Sequence, residues 1–303
     1  MILFWAVSAY EHYERKRYLA LAAFAAAMAL LARKNTWIVL IAVAIYALLV
    51  SLKKKKWKFL LTGVVILLTA TLSVKAVDAM YEYRSGYPDD IGIPSILWIA
   101  MGMQENPDAR KGPGTYNDYN LDTYMRAGYD SREAAEVAKG DIRQRFSQWR
   151  EDPAAAVTFI KEKLLIQWIE PTYCSFNQTR YQYRPESWVE ELYTGQTNER
   201  ALTFLNRYQA VVYLFVLGYF LMILAGKLEG EQILPGIILL GGFFITILWE
   251  AKSRYVYPYI VLILPCAACS ITYYSGLMTE QLTKMGRAIK GRKQKQKEIG
   301  KTA

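Results

Sequence analysis

The stretch TWIVLIAVAIYALLVSLKKKKWKFLLTGVVILLTATLSVKAVDAM, residues 36–80, decides the fold. Two apolar runs, 36–52 and 59–80, enclose a basic run, Lys53–Lys56 with Lys58. A helix needs roughly 20 apolar residues to cross a bilayer core, and helical backbone satisfies its own polar groups there. Short basic loops beside such runs mark the cytoplasmic side. Outward from this hairpin, further apolar runs occupy 18–32, 207–226, 232–249 and 255–278. Six transmembrane helices are therefore expected.

Between 80 and 207 the composition changes. Residues 81–206 hold 14 Lys/Arg against 19 Asp/Glu, a balance of −5, whereas the whole chain carries +10. The positive charge thus belongs to the membrane-flanking parts, chiefly Lys53–Lys58 and the tail from Lys284 to Lys301. Four expected spans separate those two clusters, so both fall on one side. The arithmetic puts 81–206 on the other side, with the loop Glu250–Arg254 and the turn Arg33-Lys34-Asn35. The expected organisation is a membrane region at 1–80 and an α-rich extracytoplasmic domain at 81–206. Three spans follow at 207–278, and a basic cytoplasmic tail at 279–303. The fold class is an all-α polytopic membrane protein of the cell membrane.

This pattern excludes a purely soluble enzyme. It also excludes histidine-based catalysis, since the only histidine is His12, in a short basic loop. Nucleic acid is not an expected partner, because the basic residues are topology signals; membrane lipids are, the tail facing anionic headgroups. Cys266 and Cys269 form a C-x-x-C inside an apolar run, which suits packing rather than metal or redox chemistry, and Cys174 stands apart. The sequon Asn177-Gln178-Thr179 carries no weight. At the start, the apolar run Ile2–Tyr10 precedes the charges of Glu11–Arg17. A secretory signal has the reverse order. The expectation is a chain that opens midway through a helix, with an N-terminal half as a missing partner.

Within the polar segment, Asp130-Ser131-Arg132-Glu133 is a capping box opening a helix to about Trp149. Asp152-Pro153 opens a second, through Ala154–Ile169, with proline at the first helical position. Val157, Ile160, Leu164 and Trp168 follow 3-4-4 spacing, so that face is expected to pack.

Three constellations could carry chemistry. Arg33-Lys34-Asn35 sets a basic pair at the outer rim, suited to a phosphate or to snorkelling toward lipid headgroups. Trp249-Glu250-Ala251-Lys252-Ser253-Arg254-Tyr255 packs three ionisable groups between two spans, where Glu250 and Arg254 could pair or serve a site. Gly112-Pro113-Gly114-Thr115-Tyr116-Asn117-Asp118-Tyr119-Asn120, with Asp122 and Tyr124 beyond, has the carboxylates, amides and aromatic rings of sugar sites, and equally those of ordinary turns. The pair Asp89-Asp90 could bind a divalent cation or form a solvated turn.

Ala29–Ile41, ALLARKNTWIVLI, resembles the hairpin of polyprenyl-phosphate-dependent glycosyltransferases of the GT-C superfamily. Ile93–Met103 with Trp98-Ile99-Ala100-Met101-Gly102, then Tyr116-Asn117, is similar to an outer loop of Gram-positive protein O-mannosyltransferase relatives. Glu250-x-x-x-Arg254-Tyr255-x-x-Pro258 is similar to their late loop. The resemblance implies transfer of a sugar from a lipid-phosphate carrier to an acceptor at the outer membrane face. Basic residues (here Arg33, Lys34, Lys252 and Arg254) would hold the phosphate. Tyr116, Asn117 and Tyr255 would meet sugar or acceptor. The catalytic carboxylate would come from Asp89, Asp118, Asp122 or Glu250. The sequence departs from the family in having no first span and no first acidic outer loop, so the chain reads as a C-terminal portion. A transporter or flippase component, or a non-enzymatic protein of surface-polysaccharide assembly, is the rival reading. Charges gather at the span ends and the span interiors are largely uncharged, which weighs against a transporter.

Overall fold

The computed structural model describes residues 2–87, 92–108, 110–176 and 187–302. Among these residues every regular element is a helix. Helix α1 (Ile2–Tyr13) turns at Glu14, in left-handed backbone at φ 53°, into α2 (Lys16–Ala32). α3 (Thr36–Lys54) and α4 (Lys58–Ser85) follow, and α3 ends on left-handed Lys55. Beyond the polar segment come α10 (Gln196–Leu224), a 3-10 turn (Gly230–Ile233) continuing into α11 (Leu234–Leu248), and α12 (Tyr257–Thr302).

Five of these stretches are long and apolar enough to cross a membrane: α3, α4, α10, Gly230–Leu248 and Tyr257–Arg287. The expected sixth, 18–32, lies in α2. That helix has 17 residues, about 26 Å at the usual rise and short of a ~30 Å hydrocarbon core. By length and composition the count among the described residues is therefore five, with α2 packed between α1 and α4. The nine-residue apolar run at the start is α1, which doubles back along α2.

The bundle runs α1, α2, α4, α3, α11, α12, α10 by successive packing contacts. Its core joins Ala22 and Ala26 of α2, Tyr46 of α3, Ile66 and Ala70 of α4, Ile238 of α11 and Ile263 of α12. Small residues allow the close approaches, as is usual where lipid removes the hydrophobic drive between helices. A Cβ at Gly63 would stand 3.1 Å from the Ala47 Cβ and 3.3 Å from the Ala44 Cα, so glycine there sets the α3–α4 spacing.

Two ends of the bundle are distinguished by chemistry. At one, Lys54 pairs with Glu11 at 2.9 Å, Lys56 with Glu14 at 3.3 Å and Lys53 with Glu229 at 2.8 Å. These pairs gather the α1–α2 turn, the α3–α4 turn and the connection after α10 at a basic end. The opposite end carries the polar segment, built from α5 (Ile96–Gly102), α6 (Tyr119–Arg126), α7 (Ser131–Glu151), α8 (Pro153–Trp168) and α9 (Ser187–Thr194). Leu97, Ala100, Ala127, Ala134 and Ala138 form its own small core.

The helix starts are those the sequence implies. Asp130 accepts from the Arg132 and Glu133 N–H groups, and Asp152 from the Ala155 N–H ahead of Pro153. The packed face of α8 is only partly the expected one, for Trp168 packs on the bundle core against Phe243 and Tyr259. Val157 is exposed, whereas Phe159, Lys163 and Gln167 are buried. Burial here follows hydrogen-bond demand from α11 rather than apolar spacing.

Candidate functional site

The site begins with the last turn of α11. Its carbonyls have no partners further along the helix and need donors from elsewhere. α8 supplies them. The Lys163 Nζ donates to the Ile247 carbonyl at 2.8 Å and to the Gly102 carbonyl that ends α5. The Gln167 Nε2 donates to the Thr246 carbonyl at 2.9 Å, and the Trp168 Nε1 to the Thr246 hydroxyl at 3.0 Å. One helix of the polar domain thus grips the end of one membrane helix.

Lys163 is wholly enclosed and has no carboxylate partner among the described residues. Burial pushes its pKa down to about 7. A neutral amine has two N–H donors, and two carbonyls receive them; a third donor of the charged form would find no partner in that pair. Gly114 presses on the same lysine: a Cβ there would lie 2.9 Å from its Cδ and Cε and 2.7 Å from the Gly102 oxygen, at φ +70°. Only glycine fits that turn.

Beyond Trp249 the chain runs extended, and the Ala251 N–H donates to the Gly114 carbonyl at 2.7 Å. The glycine-rich loop and the Glu250–Arg254 loop, separate in sequence, are therefore stitched together. A second stitch is Glu170, whose carboxylate accepts from Thr172, from the Cys174 N–H and from the Ser253 hydroxyl. Burial would push Glu170 up, but those bonds together hold it below the usual carboxylate range.

Beside these contacts, between the bundle and the polar domain, lies a partly open cavity of about 550 Å³. The α2–α3 turn contributes Lys34 and Asn35, α3 contributes Trp37, and Ser95 and Trp98 come from the start of α5. Gln167, Thr246, Trp249, Glu250 and Tyr255 close the far wall. Glu250 is 3% exposed and accepts the Tyr255 hydroxyl at 2.9 Å. Burial pushes the Tyr255 hydroxyl up, with Glu250 adding to it and Arg254 opposing. Glu250 and Arg254 do not pair as the spacing allowed; Arg254 instead lies 5.5 Å from the Tyr255 ring centre.

The sequence candidates divide. Lys34, Glu250 and Tyr255 share this cavity, while Arg33, Lys252 and Arg254 are outside its lining. Asn117 and Asp122 line a second cavity of about 450 Å³ between α6, α7 and the 104–117 loop. Asp118 is exposed, in left-handed backbone. Tyr116 stands between the two groups: its hydroxyl is pushed up first by the neighbouring Asp118, then by burial and by the fields of Glu250 and Asp122. Asp89, Asp90 and the sequon lie outside the described residues. Among the described residues no group of three His, Cys, Asp or Glu side chains is placed to hold a metal ion. Lys163 and Gln167 escaped sequence reasoning, since polar residues on an otherwise apolar helix read as its solvent face. Comparison with protein-family models, curated proteins and solved structures finds no match to this chain.

Proposed function

We propose that the protein is a membrane glycosyltransferase, or the portion of one, that moves a sugar from a polyprenyl-phosphate carrier to an acceptor hydroxyl. One observation carries the reading. The α2–α3 turn and the α11–α12 loop, more than two hundred residues apart, line a single cavity at the junction of apolar bundle and polar domain, with Lys34 and Glu250 on its wall. A lipid-linked phosphate has its tail in the bilayer and its head at that junction. Lys34 would take the charge that develops on the phosphate as the bond from sugar C1 to phosphate oxygen breaks. Glu250 would accept the proton of the acceptor hydroxyl as its oxygen bonds to C1. Tyr255 orients Glu250, and the tryptophans cover the apolar face of the ring. Of the three carboxylate candidates among the described residues, Asp118, Asp122 and Glu250, Glu250 is the one in this cavity. By the positive-inside rule the basic end is cytoplasmic, and 81–206 with the cavity is extracytoplasmic.

The test is binding and turnover in purified protein. Lys34→Ala should weaken binding of a short-chain prenyl phosphate about tenfold or more, since a charge-assisted bond contributes roughly 1.5–3 kcal/mol. Glu250→Gln should leave that binding within about threefold while abolishing consumption of a lipid-linked sugar in membranes containing the full chain and any preceding portion. Movement of the lipid-linked sugar across the membrane without its consumption would favour the flippase reading instead.

A further inference from the structure

Gln167 is fully enclosed, 0% exposed, and lines the first cavity. Its amide nitrogen is engaged with the Thr246 carbonyl at 2.9 Å and, more weakly, with the Lys163 carbonyl at 3.4 Å. Those bonds fix which way the amide points. Its Oε1 is then left without a hydrogen-bond partner among the described residues. Leaving a buried acceptor unsatisfied costs about 1–3 kcal/mol, so such an atom calls for an explanation.

None of the donors that line the same cavity reaches it. The Thr246 hydroxyl donates to the Phe243 carbonyl and accepts from Trp168, and the Tyr255 hydroxyl donates to Glu250. A group lodged in the cavity that Gln167 lines can supply the donor that Oε1 lacks. Among the described residues no group of three His, Cys, Asp or Glu side chains is placed to hold a cation there. An uncharged hydroxyl beside a flat aromatic wall suits the amide, and Trp98 and Trp249 provide that wall.

We propose that Gln167 is the specificity-determining residue for the transferred group: its Oε1 accepts a ring hydroxyl of a glycosyl ligand held in the first cavity. The inference rests on the transferase reading and deepens it. Lys34 addresses the phosphate of the donor, and Gln167 its sugar.

Intrinsic tryptophan fluorescence of the purified full chain, with Trp98 and Trp249 in the cavity wall, reads binding. The probes are methyl hexopyranosides, each with its series of monodeoxy analogues, and farnesyl phosphate in parallel. Wild-type protein should bind at least one glycoside and reject one of its monodeoxy analogues by about tenfold, because a site built around a hydroxyl is left unpaired by its loss. Gln167→Met, close in shape but without the amide, should bind the two alike. Gln167→Glu, which keeps an acceptor at that position, should restore part of the discrimination. Farnesyl phosphate affinity should stay within about threefold in both variants. Discrimination that persists in Gln167→Met overturns the assignment, as does the absence of any glycoside binding by wild type. Parallel loss of glycoside and farnesyl phosphate binding, with a lowered unfolding temperature, would reduce Gln167 to a structural peg of α11. Either failure leaves the transferase reading standing if Lys34→Ala still weakens farnesyl phosphate binding; loss of that effect would remove the reading itself.

Discussion

Lys163 holds two helix ends together, and its protonation state decides how well it does so. The Gly102 and Ile247 carbonyls that it meets lie at the C-terminal ends of α5 and α11, where partial negative charge collects. That field favours the ammonium form, but full burial outweighs it and pushes the pKa down from 10.5 to about 7. The unfolded chain keeps the ordinary value, so between about pH 7 and 10.5 it binds more protons than the folded one. Folding stability should therefore rise with pH across that window, and the cost of the buried charge is fully felt below about 7. Thermal unfolding of wild type and Lys163→Met from pH 6 to 9 measures this. The wild-type curve should gain on the variant as pH rises, and parallel curves would mean that the lysine does not titrate in the window. None of this was legible in the sequence, where Lys161, Glu162 and Lys163 are three consecutive charges and nothing singles out the third. Its partners are backbone carbonyls, which no sequence motif announces.

At the scale of elements, what could be read depended on whether a signal was local. The helix starts at Asp130 and Asp152 were legible because a cap is made within three residues of itself. Asp152 ends α7 as well as starting α8, and its carboxylate holds the Ala155 N–H at 2.9 Å. Asp152→Ala should therefore cost about 1 kcal/mol of stability, read as a lower denaturation midpoint of the helical signal, with farnesyl phosphate affinity nearly unchanged. A large affinity loss at unchanged stability would put the α7–α8 corner in the binding site. The packed face of α8 was only partly legible, through Trp168. Apolar spacing named Val157, Ile160, Leu164 and Trp168, yet the buried line is Phe159, Lys163 and Gln167. The end of a membrane helix needed donors, and the apolar side of α8, with Leu164 and Trp168, instead faces an apolar groove shared with α10 and α11. The candidate site was half legible for the same reason. Lys34, Glu250 and Tyr255 were marked by chemistry out of place between apolar runs. Their meeting in one cavity, and the absence of Asp122 from it, depended on tertiary contacts.

For the whole molecule, the five long apolar helices make an alternating path. α3 runs from the domain end to the basic end, α4 returns, α10 descends, α11 returns, and α12 descends into the basic tail. The ion pairs that join Lys53, Lys54 and Lys56 to Glu229, Glu11 and Glu14 tie three turns to the same end, so no single helix can be reversed without breaking them. Orientation is thus one decision for the whole bundle, and the concentration of lysine and arginine at one end makes it. Single cysteines in a background without Cys174, Cys266 and Cys269 measure the outcome. Ser253 is buried and a poor reporter, whereas Asp118, Arg254, Lys55 and Lys284 are exposed. Asp118→Cys and Arg254→Cys should react with an impermeant maleimide in intact cells. Lys55→Cys and Lys284→Cys should react only after permeabilisation. Labelling of Lys55→Cys from outside would turn the cavity toward the cytoplasm. Soluble activated sugars are made on that side, so a cavity opening there would have no need of a membrane-anchored carrier, and the case for a lipid-phosphate donor would lose its footing with the topology.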